Sequence, residues 1–229
     1  VIESCTNYAE INGGNHTAGI TVQNGGRKGA EGKVSLCING GKVSGGNYVG
    51  GITADNINGV IEKCANNGFV KGNTMVGGVL AANESSLTSS YNIGLVVGTG
   101  KTFRANIGGV LGWQNGTAEN LYNTGAVVSA GGNIGGCVGL PTSDTLSKNL
   151  YGVGWVMGMY YDDGDDLELY YVGGAAGKKS QWVENAYYLT GLNGNGAGEE
   201  KDEEYLKGAE FATALGENFE ADGGLNGGY

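Results

Sequence analysis

The chain has 229 residues, of which 48 are glycine and only one is proline, and its formal net charge at pH 7 is -10. The single proline excludes collagen and proline-rich linkers, and the negative charge disfavours nucleic acid and anionic membrane surfaces as partners. Hydrophobic residues make up 40% of the chain, but no apolar run approaches the roughly 20 residues of a membrane span. We therefore predict an extended core and no membrane insertion.

A seven-residue phrase with asparagine at its third and glycine at its fifth position recurs along the chain. Four copies are clear and three are looser. The clear copies are Cys37–Val43, Cys64–Val70, Ser90–Val96 and Leu121–Val127, and the looser ones are Cys5–Ile11, Leu150–Val156 and Ala186–Leu192. Self-similarity at a period of 20 to 50 residues is typical of solenoids.

A second phrase, with glycine between small or aliphatic residues, follows each of the first six copies. Its copies are Ala18–Ile20, Val49–Ile52, Val76–Val79, Ile107–Val110, Ile134–Cys137 and Val172–Ala175. Both phrases are short runs of Val, Ile and Leu interrupted by Gly and Asn, which indicates strands and tight turns. The first phrases start 26 to 36 residues apart, so we interpret the shortest spacing as one rung and the excess as loop insertions.

These repeats predict an all-β fold, a parallel β-solenoid (β-helix) of about seven rungs. One rung alone cannot bury its apolar residues, whereas stacked rungs pair strand on strand about 4.8 Å apart and align equivalent residues in ladders. Two interior ladders are expected, one at the first position of each phrase and one six residues later. The first consists of Cys5, Cys37, Cys64, Ser90, Leu121 and Leu150, and the second of Ile11, Val43, Val70, Val96, Val127 and Val156.

The repeated asparagines are predicted to form a structural ladder. They are Asn7, Asn39, Asn66, Asn92 and Asn123. A stacked amide can donate and accept along the solenoid axis and satisfy turn backbone that would otherwise lack a partner. The alternative is that these amides bind a ligand. The glycine two residues after each asparagine would permit a left-handed turn or a close approach of two backbones.

Cysteine occupies the first position of three consecutive copies, at Cys5, Cys37 and Cys64. Neighbouring rungs place such residues within the range that a disulfide can span, but three stacked thiols cannot all pair. We expect free thiols that act as small apolar residues, with one disulfide as the alternative. Zinc is disfavoured, because the chain has no CxxC motif and His16 is its only histidine, which we interpret as a surface residue.

The outward positions of the first phrase change from mixed to aromatic along the chain. Tyr91, Tyr122, Tyr151 and Trp155 are the predicted ligand-binding residues. An apolar stripe that faces water usually marks an interface, and aromatic rings can stack on sugar rings or dock another protein. The alternative is that an insertion loop or the C-terminal helix covers this stripe.

An acidic run, Asp162–Asp166, interrupts a rung between Tyr160–Tyr161 and Tyr170–Tyr171, and we interpret it as an insertion loop. Asp163 and Asp165 flank a glycine, and oxygen-rich turns of this kind favour calcium. The spacing of an EF-hand is absent, so a solvated turn is the alternative to a calcium site. No other cofactor is indicated.

The end of the chain is the only stretch with helical spacing. We divide the chain into a β-solenoid repeat domain, 1–198, and a C-terminal helical cap and tail, 199–229. Apolar residues recur every three or four positions from about Asp202 to Gly216, and acids at the start suit a helix N-terminus. The helix is expected to cap the end of the solenoid and hide its strand edges.

The sequence offers no convincing catalytic pattern, and we expect no enzyme. Gly98–Thr102 ends like a phosphate-binding loop but lacks the earlier glycine and the following helix. Glycan-cleaving β-helices use acids on one face. The acids of the regular rungs, interpreted as sharing no repeat position, are Glu31, Asp55, Glu62, Glu84 and Glu119.

The two phrases together resemble the GLUG-motif repeats of bacterial cell-surface and secreted proteins. Leu121–Val127 and Ile107–Gly112 carry the resemblance best, and it extends over about residues 1–192. It implies an extracellular structural or adhesive module at a bacterial surface, with a protein or a glycan as partner and no catalytic residues. Self-association through the solenoid ends is a further expectation. The alternative function is a carbohydrate-binding or carbohydrate-cleaving β-helix that uses the aromatic stripe.

Overall fold

The computed structural model describes residues 1–26, 29–142, 144–158, 171–191 and 196–215. These residues form an all-β parallel solenoid of about five turns, followed by two short helices. The predicted fold class is therefore confirmed. Neither helix in this described part has the length and apolar character needed to cross a membrane.

Each turn contributes strands to four parallel sheets. The first two turns contain β1 (Ile2–Glu3), β2 (Thr6–Asn7), β3 (Ile11–Asn12), β4 (Thr17–Ala18), β5 (Thr21–Asn24), β6 (Gly32–Ser35), β7 (Ile38–Asn39), β8 (Val43–Ser44), β9 (Tyr48–Gly50) and β10 (Thr53–Asn56). The third and fourth contain β11 (Gly59–Glu62), β12 (Ala65–Asn66), β13 (Val70–Gly72), β14 (Met75–Gly77), β15 (Leu80–Asn83), β16 (Ser86–Asn92), β17 (Val96–Gly98), β18 (Asn106–Gly108) and β19 (Leu111–Gln114).

The last complete turn and the C-terminal segment follow. They contain β20 (Thr117–Asn123), β21 (Val127–Ser129), β22 (Asn133–Gly135), β23 (Val138–Pro141), β24 (Ser147–Gly152), β25 (Val156–Gly158), β26 (Val172–Gly173), β27 (Val183–Leu189), β28 (Glu199–Lys201), α1 (Glu203–Leu206) and α2 (Ala209–Leu215).

The sheets stack equivalent strands in sequence order. Sheet A joins β1, β6, β11, β16, β20, β24, β27 and β28, with β2, β7 and β12 beside them; sheet B joins β3, β8, β13, β17, β21 and β25; sheet C joins β4, β9, β14, β18, β22 and β26; sheet D joins β5, β10, β15, β19 and β23. Sheet D stops at the fifth turn. The expectation of seven rungs was therefore too high, because the sixth and seventh copies do not complete a turn within the described residues.

Two parallel cores run along the solenoid axis. One lies between sheets A and D and includes Ile52, Leu80 and Leu121, and the other lies between sheets B and C and includes Val43, Val70 and Ile107. The predicted first ladder is in register, since Ser90 pairs with Leu121 and Leu121 with Leu150. Its members from Cys37 onward are buried, but Cys5 is exposed in the first turn.

The glycines of the two phrases mark places where backbones touch. A Cβ added to Gly94 would lie 1.9 Å from the carbonyl oxygen of Gly68 in the preceding turn. A Cβ on Gly78 would lie 2.5 Å from the amide of Asn92 and 2.1 Å from the carbonyl oxygen of Gly109. Of the two roles that the sequence allowed for the glycine at the fifth position, Gly94 therefore has the second, close backbone approach.

The C-terminal helices lie on the side of the solenoid. Asp202 is the N-cap of α1, and its Oδ1 accepts a hydrogen bond of 2.7 Å from the Tyr205 backbone N–H. Leu206, Phe211 and Leu215 pack against outward residues of sheet A. The expected helical stretch is thus present, but it covers a face, while β28 pairs with the edge of β27. The boundary predicted at 198 consequently falls just before a strand that is continuous with sheet A.

Candidate functional site

The tyrosines of the predicted stripe stand in one column on sheet A. The register pairs Tyr91 with Tyr122, Tyr122 with Tyr151, and Tyr151 with Tyr187. Tyr91 and Tyr122 stack with their ring centroids 4.7 Å apart and their planes 5° apart. Burial raises the pKa of Tyr122 to about 12. The tyrosine column is therefore these four residues, and Tyr187 was missed because the seventh copy has drifted.

The C-terminal helix covers the far half of the tyrosine column. The Phe211 ring lies 4.8 Å from the Tyr151 ring and 5.2 Å from the Tyr187 ring, both in edge-on geometry. Tyr151 is only 6% exposed. Tyr151 is consequently part of a helix-docking cluster and is not accessible to an external ligand in this arrangement.

Trp155 stands outside the tyrosine column. It lies directly before β25, at the corner where the chain passes from sheet A to sheet B, and it is 68% exposed. Met157, Ile93 and Leu95 are also exposed, by 53%, 49% and 40%. We call these four residues the apolar corner. The predicted stripe is thus divided into a half-covered tyrosine column and an uncovered apolar corner.

The predicted asparagine ladder is continuous through five turns. Each Nδ2 donates to the Oδ1 of the next turn, from Asn7 to Asn39 (2.8 Å), Asn39 to Asn66 (2.7 Å), Asn66 to Asn92 (2.6 Å) and Asn92 to Asn123 (2.7 Å). Each Nδ2 also donates to the carbonyl two residues later, as Asn92 does to Gly94 at 2.8 Å. The last four amides are fully buried, so no surface remains on them for a ligand.

Sequence reasoning missed a second ladder on sheet D. Asn24 donates to Asn56 (2.9 Å) and Asn56 to Asn83 (2.8 Å), all three buried. These residues end β5, β10 and β15, each four residues after the second phrase. That constant offset is the signal that could have revealed them.

One column of acids corrects an interpretation made from the sequence. Glu62 pairs in register with Thr88, and Thr88 with Glu119, so Glu62 and Glu119 do share a repeat position, two turns apart. Lys33 lies 2.8 Å from Glu62 and holds its pKa below the usual value. A general acid of a glycosidase needs a raised pKa, and Glu62 has the opposite shift.

His16 contacts Asp55, an acid that the sequence analysis did not predict as its neighbour. Its Nδ1 lies 2.5 Å from Asp55 Oδ2, and its ring stacks on Tyr48 with centroids 4.5 Å apart. The side chain is 47% exposed. The pair links the first turn, which contains His16, to the second turn, because Asp55 belongs to β10.

The four cysteines are free thiols. Cys37 and Cys64 are stacked in the first ladder, and Cys137 is buried and donates to the Tyr151 carbonyl at 3.1 Å. Burial raises the pKa of Cys64 and of Cys137 to about 12. Thiols in this state are poor nucleophiles and poor metal ligands.

The proposed calcium ligands Asp163 and Asp165 lie outside the described residues. Within the described ranges, no group of three or more His, Cys, Asp or Glu side chains is arranged to hold a metal ion.

Comparison with protein-family models, with curated proteins and with solved structures finds no match. The GLUG resemblance accordingly stays an expectation from the repeated phrases.

Proposed function

We propose that this chain is an extracellular structural and adhesive repeat module of a bacterial surface, which presents the apolar corner to a partner. The supporting observation is that the interior and the surface of the solenoid carry different kinds of residues. Interior positions are filled by aliphatic and amide ladders, whereas Trp155 and Met157 are exposed on a regular β surface. Leu95 and Trp155 directly precede Val96 and Val156, which share one column through Val127, so the two side chains stand in one outward column two turns apart. Exposed apolar patches are typical of interaction sites.

The solenoid suits a load-bearing role. Every turn is joined to the next by backbone hydrogen bonds in several sheets and by the buried amide ladder. A buried amide with all partners in place is costly to separate. The module would therefore keep the spacing of its outer residues under force, which an adhesive protein requires.

Adhesion between copies of the chain is the version that can be tested directly. Beads coated with the chain should clump, and light scattering should show association that rises with concentration. Leu95→Lys and Trp155→Ser should each reduce both signals, because they place a charged or polar group in the apolar corner.

Lys71→Ala is the matched control, since Lys71 is an exposed polar residue on sheet B. Association that is indifferent to Leu95→Lys and Trp155→Ser would favour end-to-end contacts. If the chain stays monomeric at high concentration and the coated beads stay dispersed, adhesion between copies is excluded.

The second candidate function is glycan binding by the outward aromatic residues. The half-buried Tyr91 and Tyr122 and the exposed Trp155 favour it, because aromatic faces stack on sugar rings. Screening against glycans, with Tyr122→Ala and Trp155→Ala as variants, tests it. Binding that survives both changes would remove these residues as the platform.

Location outside the cell rests on the resemblance and on the acidic charge. Protease treatment of intact cells that carry this protein would test it. A module that is cut only after lysis would contradict it.

A further inference from the structure

A cleft that none of the repeated phrases predicted lies at the end of sheet D. It has a volume of about 490 Å³ and lies between the end of β23 and residues 178–182. Leu140 and Pro141 form its apolar part, and Trp182 and Thr142 also line it. Volumes of 300 to 1,000 Å³ are roughly those of small-molecule sites.

The main chain at Trp182 is held by two hydrogen bonds. The Trp182 carbonyl accepts a 2.8 Å hydrogen bond from the Ser147 N–H, and its own N–H donates to Ser180 Oγ at 3.2 Å. The side chain nevertheless remains 38% exposed. An accessible aromatic ring on an anchored main chain can stack on a sugar without the cost of ordering the backbone that carries it.

Two lysines give the cleft a charge opposite to that of the chain. Lys178 and Lys179 line it, although the net charge of the whole chain is -10. Lys178 Nζ lies 5.7 Å from the centroid of the Tyr171 ring, within the range of a cation–π interaction. Among the described residues, neither Lys179 nor Gln181 has an ion-pair or side-chain hydrogen-bond partner, so both side chains are available to a ligand.

We propose that this cleft binds a sugar that carries a carboxylate, such as a uronic acid residue. Trp182 stacks on the C–H face of the ring, Lys179 pairs with the carboxylate, and Gln181 and Thr142 form hydrogen bonds with hydroxyl groups. The site is separate from the apolar corner and from the tyrosine column, and it does not depend on adhesion between copies.

Calorimetric titration with trigalacturonate tests the proposal, with its fully methyl-esterified form as the neutral probe. We expect tighter binding of the acid. Trp182→Ala should weaken the binding of both probes about tenfold, the effect of losing roughly 1.4 kcal/mol. Lys179→Gln should weaken the acid alone, by about fivefold.

Phe103→Ala is the matched control, because it removes another exposed aromatic ring that does not line the cleft, and it should change nothing. Since Trp182 and Lys179 are both exposed, the variants should keep the circular dichroism spectrum of the parent. Equal binding of the two probes would overturn the acidic class. Absence of binding, or binding that Trp182→Ala and Lys179→Gln leave unchanged, would overturn the site, and neither result bears on the bead assay.

Discussion

At the scale of single residues, the buried amides are the polar groups on which the fold depends most. Asn92 accepts a hydrogen bond from Asn66 and donates to both Asn123 and Gly94. Its environment is fully buried. An unpaired buried donor or acceptor costs about 1–3 kcal/mol, so each amide supports its neighbours in both directions along the axis.

Asn92→Ala should lower the free energy of unfolding by about 3 kcal/mol, because it leaves several buried groups without partners. Asn73→Ala is the control, since Asn73 is exposed and makes a longer amide contact of 3.2 Å; its effect should stay within about 0.5 kcal/mol. Urea denaturation measures both. Equal losses of stability in the two variants would show that membership of the buried ladder does not determine how much an amide stabilises the fold.

The buried thiols predict a loss of stability in alkali. Their ordinary pKa is 9.0, and in the folded protein the pKa of Cys64 and of Cys137 is about 12. Above pH 9 the unfolded chain releases protons that the folded chain retains, so the free energy of unfolding should fall up to about pH 12. The slope is about 1.4 kcal/mol per pH unit for each thiol.

Cys137→Ala should reduce the pH dependence of the free energy of unfolding by the contribution of one thiol. Denaturation curves recorded from pH 8 to 11 provide the measurement. Below pH 9 the free energies of unfolding of the original protein and the variant should change with pH in parallel, since the thiol keeps its proton in both the folded and the unfolded state. An unchanged slope would contradict the assigned role of Cys137.

At the scale of elements, the path of the chain through sheet A contains one left-handed residue for each copy of the first phrase. It directly precedes the first position of every copy, with φ between 48° and 56°. The seven residues are Ser4, Leu36, Lys63, Ser89, Asn120, Asn149 and Asn185. Asparagine tolerates this conformation better than leucine or lysine, and Asn149 also donates to Asn120 Oδ1 at 2.7 Å.

Leu36→Asn should therefore stabilise the protein by about 0.5–1 kcal/mol, because it relieves backbone strain and Leu36 is already 49% exposed. The reverse change, Asn120→Leu, should destabilise it by about 1–2 kcal/mol, since it adds strain and removes a hydrogen bond. Melting temperatures of the two variants provide the measurement. A lower melting temperature for Leu36→Asn would show that its side-chain packing outweighs the strain.

At the scale of the whole molecule, the helices and the solenoid are joined through one aromatic cluster. Phe211 contacts Tyr151 and Tyr187, which belong to successive strands of sheet A. The solenoid itself is held by ladders that do not include Phe211. The helices should consequently detach without unfolding the turns beneath them.

Phe211→Ala should release residues 203–215 while the β-sheet spectrum is retained, because truncating a buried phenylalanine costs about 3–5 kcal/mol. Hydrogen exchange should show lost protection in α1 and α2 alone. Thr213→Ala, on the exposed side of α2, should leave that protection intact. Loss of protection throughout the solenoid would mean that the helices are part of its cooperative unit.

Local pattern was enough to predict the solenoid and the amide ladder, because both follow from which residues recur at equal intervals. The interpretation of Glu62 and Glu119 was wrong although their offset indicates the shared column, since each stands two residues before the first position of its copy, Cys64 or Leu121. Spacing alone failed at His16, whose partner Asp55 comes from the next turn. The Trp182 cleft lies where the repeat has lapsed, so no periodicity could indicate it.

By itself, the sequence determined the class of fold, the strand-forming phrases and the inward residues, since repetition forces equivalent positions to stack. The tertiary structure decided which outward residues stay accessible. Tyr151 and Trp155 both take outward positions of the same copy of the repeated phrase, yet one is 6% and the other 68% exposed. The physical reason is that Phe211, sixty residues beyond Tyr151 in the chain, packs on the first and leaves the second uncovered.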